Sequence, residues 1–84
     1  MNSEIEHLDA VLRLVQAQRK EINTIRRSRT KRIGLREYPL SEEDKVLQIQ
    51  NVQERYSREI SNIYSSLNAG REAEGREPLR NPYA

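Results

Sequence analysis

The residues best suited to chemistry lie between Arg19 and Arg36, where Arg19, Lys20, Arg26, Arg27, Arg29, Lys31, Arg32 and Arg36 stand against one acid, Glu21. That segment carries a net +7 in a chain whose total is +2, so the remainder is acidic and the molecule is electrically polarised. Guanidinium groups offer paired donors that match phosphate oxygens, so a patch of this density is suited to a nucleotide or to the backbone of a nucleic acid. Tyr38 follows closely and offers an aromatic face for a base. The candidate ligand-binding set is therefore Arg26, Arg27, Arg29, Lys31, Arg32, Arg36 and Tyr38. The same residues have a purely structural use: cations at a helix C-terminus complement its dipole, and Lys31 and Arg32 fall opposite Glu42 and Glu43.

Other chemistry has little to work with. His7 is the only histidine, cysteine is absent, and no acid, base and nucleophile come together at a catalytic spacing, so an enzyme is not expected. His7 beside Glu4, Glu6 and Asp9 reads as a helix-surface residue, and neither a metal nor another cofactor is expected. At 84 residues, 35% hydrophobic and 33% charged, the chain makes one small domain with a thin core. Its apolar runs fall far short of the roughly 20 residues of a membrane span. Its start lacks the basic and then apolar pattern of a secretory signal. A soluble, cytoplasmic protein with no membrane partner is expected.

The elements that must position the basic patch read as an all-α, antiparallel two-helix hairpin. Ser3 and Glu6 fit a capping box, and Ile5, Leu8, Leu12, Val15 and Ile22 follow at helical spacing, widened by Val11, Leu14 and Ile25. The first helix is expected over 3–33, with Gly34 at its left-handed C-terminal position. Pro39 makes 34–40 a turn. Ser41 caps a second helix over 41–69, whose first turn holds Glu42, Glu43 and Asp44 and whose stripe is Val46, Ile49, Val52, Tyr56, Ile60, Ile63 and Leu67. Asn68, Ala69 and Gly70 supply a stop. The hairpin domain is thus 1–70, followed by a polar tail over 71–84 with Leu79 and Tyr83 as its only anchors.

Pairing Val15 with Ile60, Leu12 with Ile63 and Leu8 with Leu67 keeps the residue numbers adding to 75, and Gln18 then faces Tyr56 in a mixed polar layer. One such hairpin covers only a stripe of each helix. Val11, Leu14, Val46, Leu47 and Tyr64 lie beside the seam and are expected to meet another copy in a homo-oligomeric helical bundle, or a larger protein partner.

The run Gly34, Leu35, Arg36, Glu37, Tyr38, Pro39, Leu40, Ser41, Glu42 and Glu43 resembles a pattern found in small bacteriophage helical-hairpin proteins that sequester cyclic-oligonucleotide immune signals. Leu40, Ser41, Glu42 and Glu43 match that pattern in order, whereas Tyr38 lies four residues after the glycine instead of directly behind it. The resemblance implies an oligomeric hairpin that holds a cyclic nucleotide between protomers through Arg and Tyr side chains.

Two readings of function lead, ahead of a purely structural role in a coiled-coil assembly that needs only the seam and no ligand. The first is a non-enzymatic protein that captures a phosphate-bearing ligand at a basic hairpin tip. The second is a small inhibitor or assembly factor that docks on a larger protein through its apolar stripe and tail.

Overall fold

The chain forms a rod of 56 × 22 × 20 Å, and the computed structural model describes residues 3–83. Helix α1 spans Ser3–Arg27, strands β1 and β2 span Thr30–Ile33 and Arg36–Pro39, and helix α2 spans Glu42–Ala73. The two helices pack as an antiparallel hairpin, as the periodicity implies. The all-α expectation needs correction, because a two-stranded antiparallel ribbon stands where the last turns of the first helix and the loop were placed.

Local chemistry accounts for the early end of α1. Thr24 Oγ1 and Ser28 Oγ donate back to the carbonyls of Lys20 and Thr24, at 2.9 and 2.8 Å, offering the last helical turns competing bonds. Beyond Ser28 the ribbon pairs Thr30 with Pro39, Lys31 with Tyr38, Arg32 with Glu37 and Ile33 with Arg36, and the Leu40 N–H extends it to the Arg29 carbonyl at 2.9 Å. Gly34 has φ +63° and no other residue of the tip has positive φ. That is the pattern of a two-residue type II′ turn, which puts glycine first. Gly34 is thus left-handed as expected, but within a β-turn instead of a helix cap.

Ser41 opens α2 with a complete capping box. Its hydroxyl accepts from the Asp44 N–H at 3.1 Å, and its own N–H donates to Asp44 Oδ2 at 3.3 Å. At the other end of the chain Ser3 is already helical, so it does not cap α1. Helix α2 also runs through the expected stop at Gly70. It ends in a Schellman motif, with Gly75 at φ +74° and the N–H groups of Gly75 and Arg76 donating to the carbonyls of Glu72 and Arg71.

The core is small: Val11, Ile60, Tyr64 and Leu67, with Leu14, Val15, Ile63 and Leu79 packed against it. Tyr56 is buried further along α2. The register agrees with the expected one to within a residue, since the helix-to-helix ion pairs of Glu4 with Arg71 and Glu21 with Arg55 join residues whose numbers add to 75 and 76. The rotation of α1 differs. Val11 is 3% exposed whereas Leu12 is 51% and Ile5 65% exposed, so the buried stripe is Val11, Leu14 and Val15 in place of Leu8 and Leu12.

The segment after α2 folds back along it. Leu79 exchanges two hydrogen bonds with the Asn68 side chain, N–H to Oδ1 at 2.7 Å and Nδ2 to the carbonyl at 2.9 Å, and seats its side chain on the core. Arg71 and Arg76 both reach the Glu4 carboxylate, at 2.8 and 3.0 Å, which ties this end to α1. Leu79 is therefore an anchor, while Tyr83 stays half exposed.

Candidate functional site

The ribbon projects from one end of the rod, and every residue from Arg32 to Pro39 is exposed. Arg26 and Arg27 lie in the last turn of α1, Arg29 sits between α1 and β1, and Arg36 opens β2. Directly opposed residues share a face of a ribbon. Lys31, Tyr38, Ile33 and Arg36 thus occupy one side, and Thr30, Pro39, Arg32 and Glu37 the other.

Part of this charge is used internally, with partners other than those expected. Lys31 donates to Asp44 at 2.8 Å instead of meeting Glu42 or Glu43, which pins the ribbon to the first turn of α2. Arg32 faces Glu37 across the strands at 3.9 Å, a solvated contact worth little. Lys45 caps α1 by donating to the Arg26 carbonyl at 3.3 Å and approaches Glu42 at 3.7 Å. The side chains of Arg26, Arg27, Arg29 and Arg36 have no hydrogen-bond or ion-pair partner among the described residues. Four unneutralised guanidinium groups therefore stand at one end of the molecule, with Tyr38 between the strands' polar neighbours and partly exposed.

The pin between ribbon and α2 is sensitive to acid. The Lys31 ammonium and the Ser41 hydroxyl and N–H bond the Asp44 carboxylate and hold its pKa below the ordinary 3.8. A carboxyl group depressed in the folded state stabilises it above the unfolded pKa and loses that contribution as pH falls through the folded value. Lowering the pH below 3.8 is therefore expected to release the ribbon while the helices persist. Amide chemical shifts of Lys31 and Tyr38 should move in this range without a matching loss of helical circular dichroism. Asp44→Asn should show the released shifts at neutral pH.

The middle of the rod holds a second polar cluster, different from the expected Gln18 and Tyr56 layer. Glu21 accepts from both Arg55 and the Tyr56 hydroxyl, which lower its pKa, and the same bond raises that of Tyr56. The cluster joins α1 to α2 in the middle of the rod.

The expected interface residues divide. Val11 and Tyr64 are core residues of the hairpin itself and are unavailable to a partner, Leu14 is half buried, and Val46 and Leu47 are exposed near the tip. The uncovered apolar stripe is instead Ile5, Leu8 and Leu12. At the tip, Ile33 and the fully exposed Leu35 belong to the surface a ligand would meet, and the sequence reading did not single them out. The signal for them is an apolar residue directly after the glycine of a two-residue turn. No group of three or more metal-ligating side chains occurs among the described residues, and none of their helices is long and apolar enough to cross a membrane. No protein-family model, curated protein or solved structure matches the chain.

Proposed function

We propose that this chain is a non-enzymatic binding protein whose basic tip grips the phosphate backbone of a nucleic acid. The observation that carries the reading is the set of four exposed arginines, Arg26, Arg27, Arg29 and Arg36, that have no partner among the described residues and stand at the ribbon end of the rod. Isolated helix-dipole complementation needs one or two such charges in the last turn of α1 and gives no use for Arg29 or Arg36. Shape selects between the two phosphate-bearing ligands. A small nucleotide is held in a concave site that surrounds most of its surface, whereas the depressions beside Ala10 and Ala17, between Gln53 and Asn62 and between His7 and Arg76 lie away from the ribbon. A protruding cationic ribbon fits an extended polyanion. A cyclic nucleotide signal of the kind the phage resemblance implies would require two tips facing each other across an oligomer.

The uncovered stripe of Ile5, Leu8 and Leu12 favours a second component of the reading, in which the rods associate with one another through α1 and bring more than one tip to the ligand. The same stripe is what an inhibitor or assembly factor would offer a larger protein.

Fluorescence anisotropy with a labelled 20-base-pair duplex, repeated from 50 to 200 mM salt, tests the principal reading. Binding with a log–log salt slope of about −3.6, from four neutralised phosphates at about 0.9 each, is the expected result. Binding that is absent at 50 mM salt, or a cyclic dinucleotide that binds in its place, refutes it.

A further inference from the structure

We propose that Leu35 is an apolar wedge that enters a base step of duplex DNA, with the ribbon arginines holding the phosphates on either side. The inference rests on the reading of the tip as a nucleic-acid interface and adds how the tip engages the duplex.

Leu35 occupies the apex of the type II′ turn and is fully exposed, and its neighbour Ile33 is 61% exposed. The turn itself demands only the glycine before it, since the second position is filled most readily by small polar residues. No fold contact requires leucine there. The apex is bracketed by Arg36, the next residue, and by Arg32, one residue before Ile33 in β1. The tip is thus apolar at its most advanced point, with a free cation, Arg36, just behind it on β2 and Arg32, loosely paired with Glu37 at 3.9 Å in solvent, behind it on β1. This is the layout needed to unstack one base step and clamp the flanking backbone. Proteins that kink duplex DNA push single Leu, Ile, Phe, Met or Pro side chains between bases and recover the unstacking cost through added phosphate contacts. The width of a two-stranded ribbon is compatible with a DNA groove.

An anionic lipid surface would also attract arginines around an apolar tip. The amount of apolar material decides against it. Leu35 and Ile33 supply about eight side-chain carbons, fewer than one myristoyl chain, which alone gives only marginal and reversible membrane binding. A base step needs one side chain.

The test uses the full chain, its Leu35→Ser variant, and two 20-base-pair duplexes at 0.1 M salt. One duplex is perfect and the other has a central mismatch flanked by 2-aminopurine, and both carry dyes at their ends for distance measurement. The mismatch lowers the cost of opening the step. The wild-type chain is expected to bind the mismatched duplex about tenfold more tightly, a difference of about 1.4 kcal/mol, to shorten the end-to-end distance and to raise 2-aminopurine fluorescence. Leu35→Ser should lose all three effects while keeping its affinity for the perfect duplex within about threefold and the same salt slope, because the phosphate contacts remain. A Leu35→Ser protein that bends and discriminates as the wild type does overturns the wedge and leaves the nucleic-acid reading standing. A wild-type chain that binds neither duplex at 50 mM salt overturns both. Binding to phosphatidylserine vesicles that depends on Leu35, with no effect of the substitution on DNA, replaces the wedge with a lipid contact.

Discussion

Reversal of Arg27, Arg29 and Arg36 to glutamate is expected to weaken binding of a 20-base-pair duplex about a thousandfold at 0.1 M salt and to flatten the salt slope from about −3.6 to about −1. Each phosphate neutralised by an arginine releases about 0.9 counterion, so each contact is worth about a factor of ten at this ionic strength. Three contacts account for most of the loss, and repulsion by the new carboxylates supplies the rest. The fold should survive, because none of the three side chains has an intramolecular partner among the described residues. Only Arg27 lies in the last turn of α1, where replacing a cation by an anion costs about 0.5–1 kcal/mol through the helix dipole. A parallel reversal of Arg13, Arg58 and Arg80, exposed residues level with the core or beyond it, changes the net charge by the same amount. It should change affinity only a few fold. Equal losses from the two sets would mean that total charge, and not the tip, governs binding, and the assignment of the site would fall.

The sequence made the two helices and their register readable because both depend on long apolar periodicity, to which 25 and 32 residues contribute. It made the capping of α2 readable because Ser41 precedes three acids and has no competing partner. The ribbon escaped for a physical reason. Its four-residue strands hold Lys31, Arg32, Arg36 and Glu37, so the alternation of a strand is submerged in charge, and the surviving β signals are only Thr30, Ile33 and Tyr38. Gly34 did not discriminate, since a helix C-terminus and a type II′ turn both demand positive φ. A similar ambiguity misplaced the end of α2. Gly70 remains helical, between Leu67 in the core and Arg71 paired with Glu4, and the helix stops only at Gly75, whose φ is +74°.

The candidate site was legible as composition but not as geometry. The charge run marked out the basic end of the molecule, yet its candidate residues divide between Lys31 and Arg32, which face Asp44 and Glu37, and four arginines with no partner among the described residues only once the ribbon sets their directions. The rotation of α1 has the same origin. Ile5, Leu8, Val11, Leu12, Leu14 and Val15 span so wide an arc that periodicity alone does not choose its centre. In the fold the centre is Val11, which packs with Ile60, Tyr64 and Leu67, and Leu79 covers the same cluster; a single apolar residue in a polar segment carries no periodic signal.

Ile60→Ala is expected to remove about 3 kcal/mol of stability, read from the midpoint of urea unfolding followed by circular dichroism. Ile60 is the most deeply buried side chain, 1% exposed, at the centre of Val11, Tyr64 and Leu67. A domain of this length has only about 4–12 kcal/mol in total, so the loss is a large share, and with so few buried neighbours there is little material to collapse into the cavity. The proper comparison is Leu12→Ala, because Leu12 is half exposed in the isolated hairpin. There the same truncation should cost no more than about 1 kcal/mol, since the side chain has half its apolar surface in water already. The pair of substitutions therefore also tests assembly. If Leu12→Ala costs as much as Ile60→Ala, and the cost grows with protein concentration, Leu12 is covered in solution by a second copy and the stripe of Ile5, Leu8 and Leu12 is the contact between rods. If the cost stays small at every concentration, the rod is stable on its own, and each tip must bind its ligand singly.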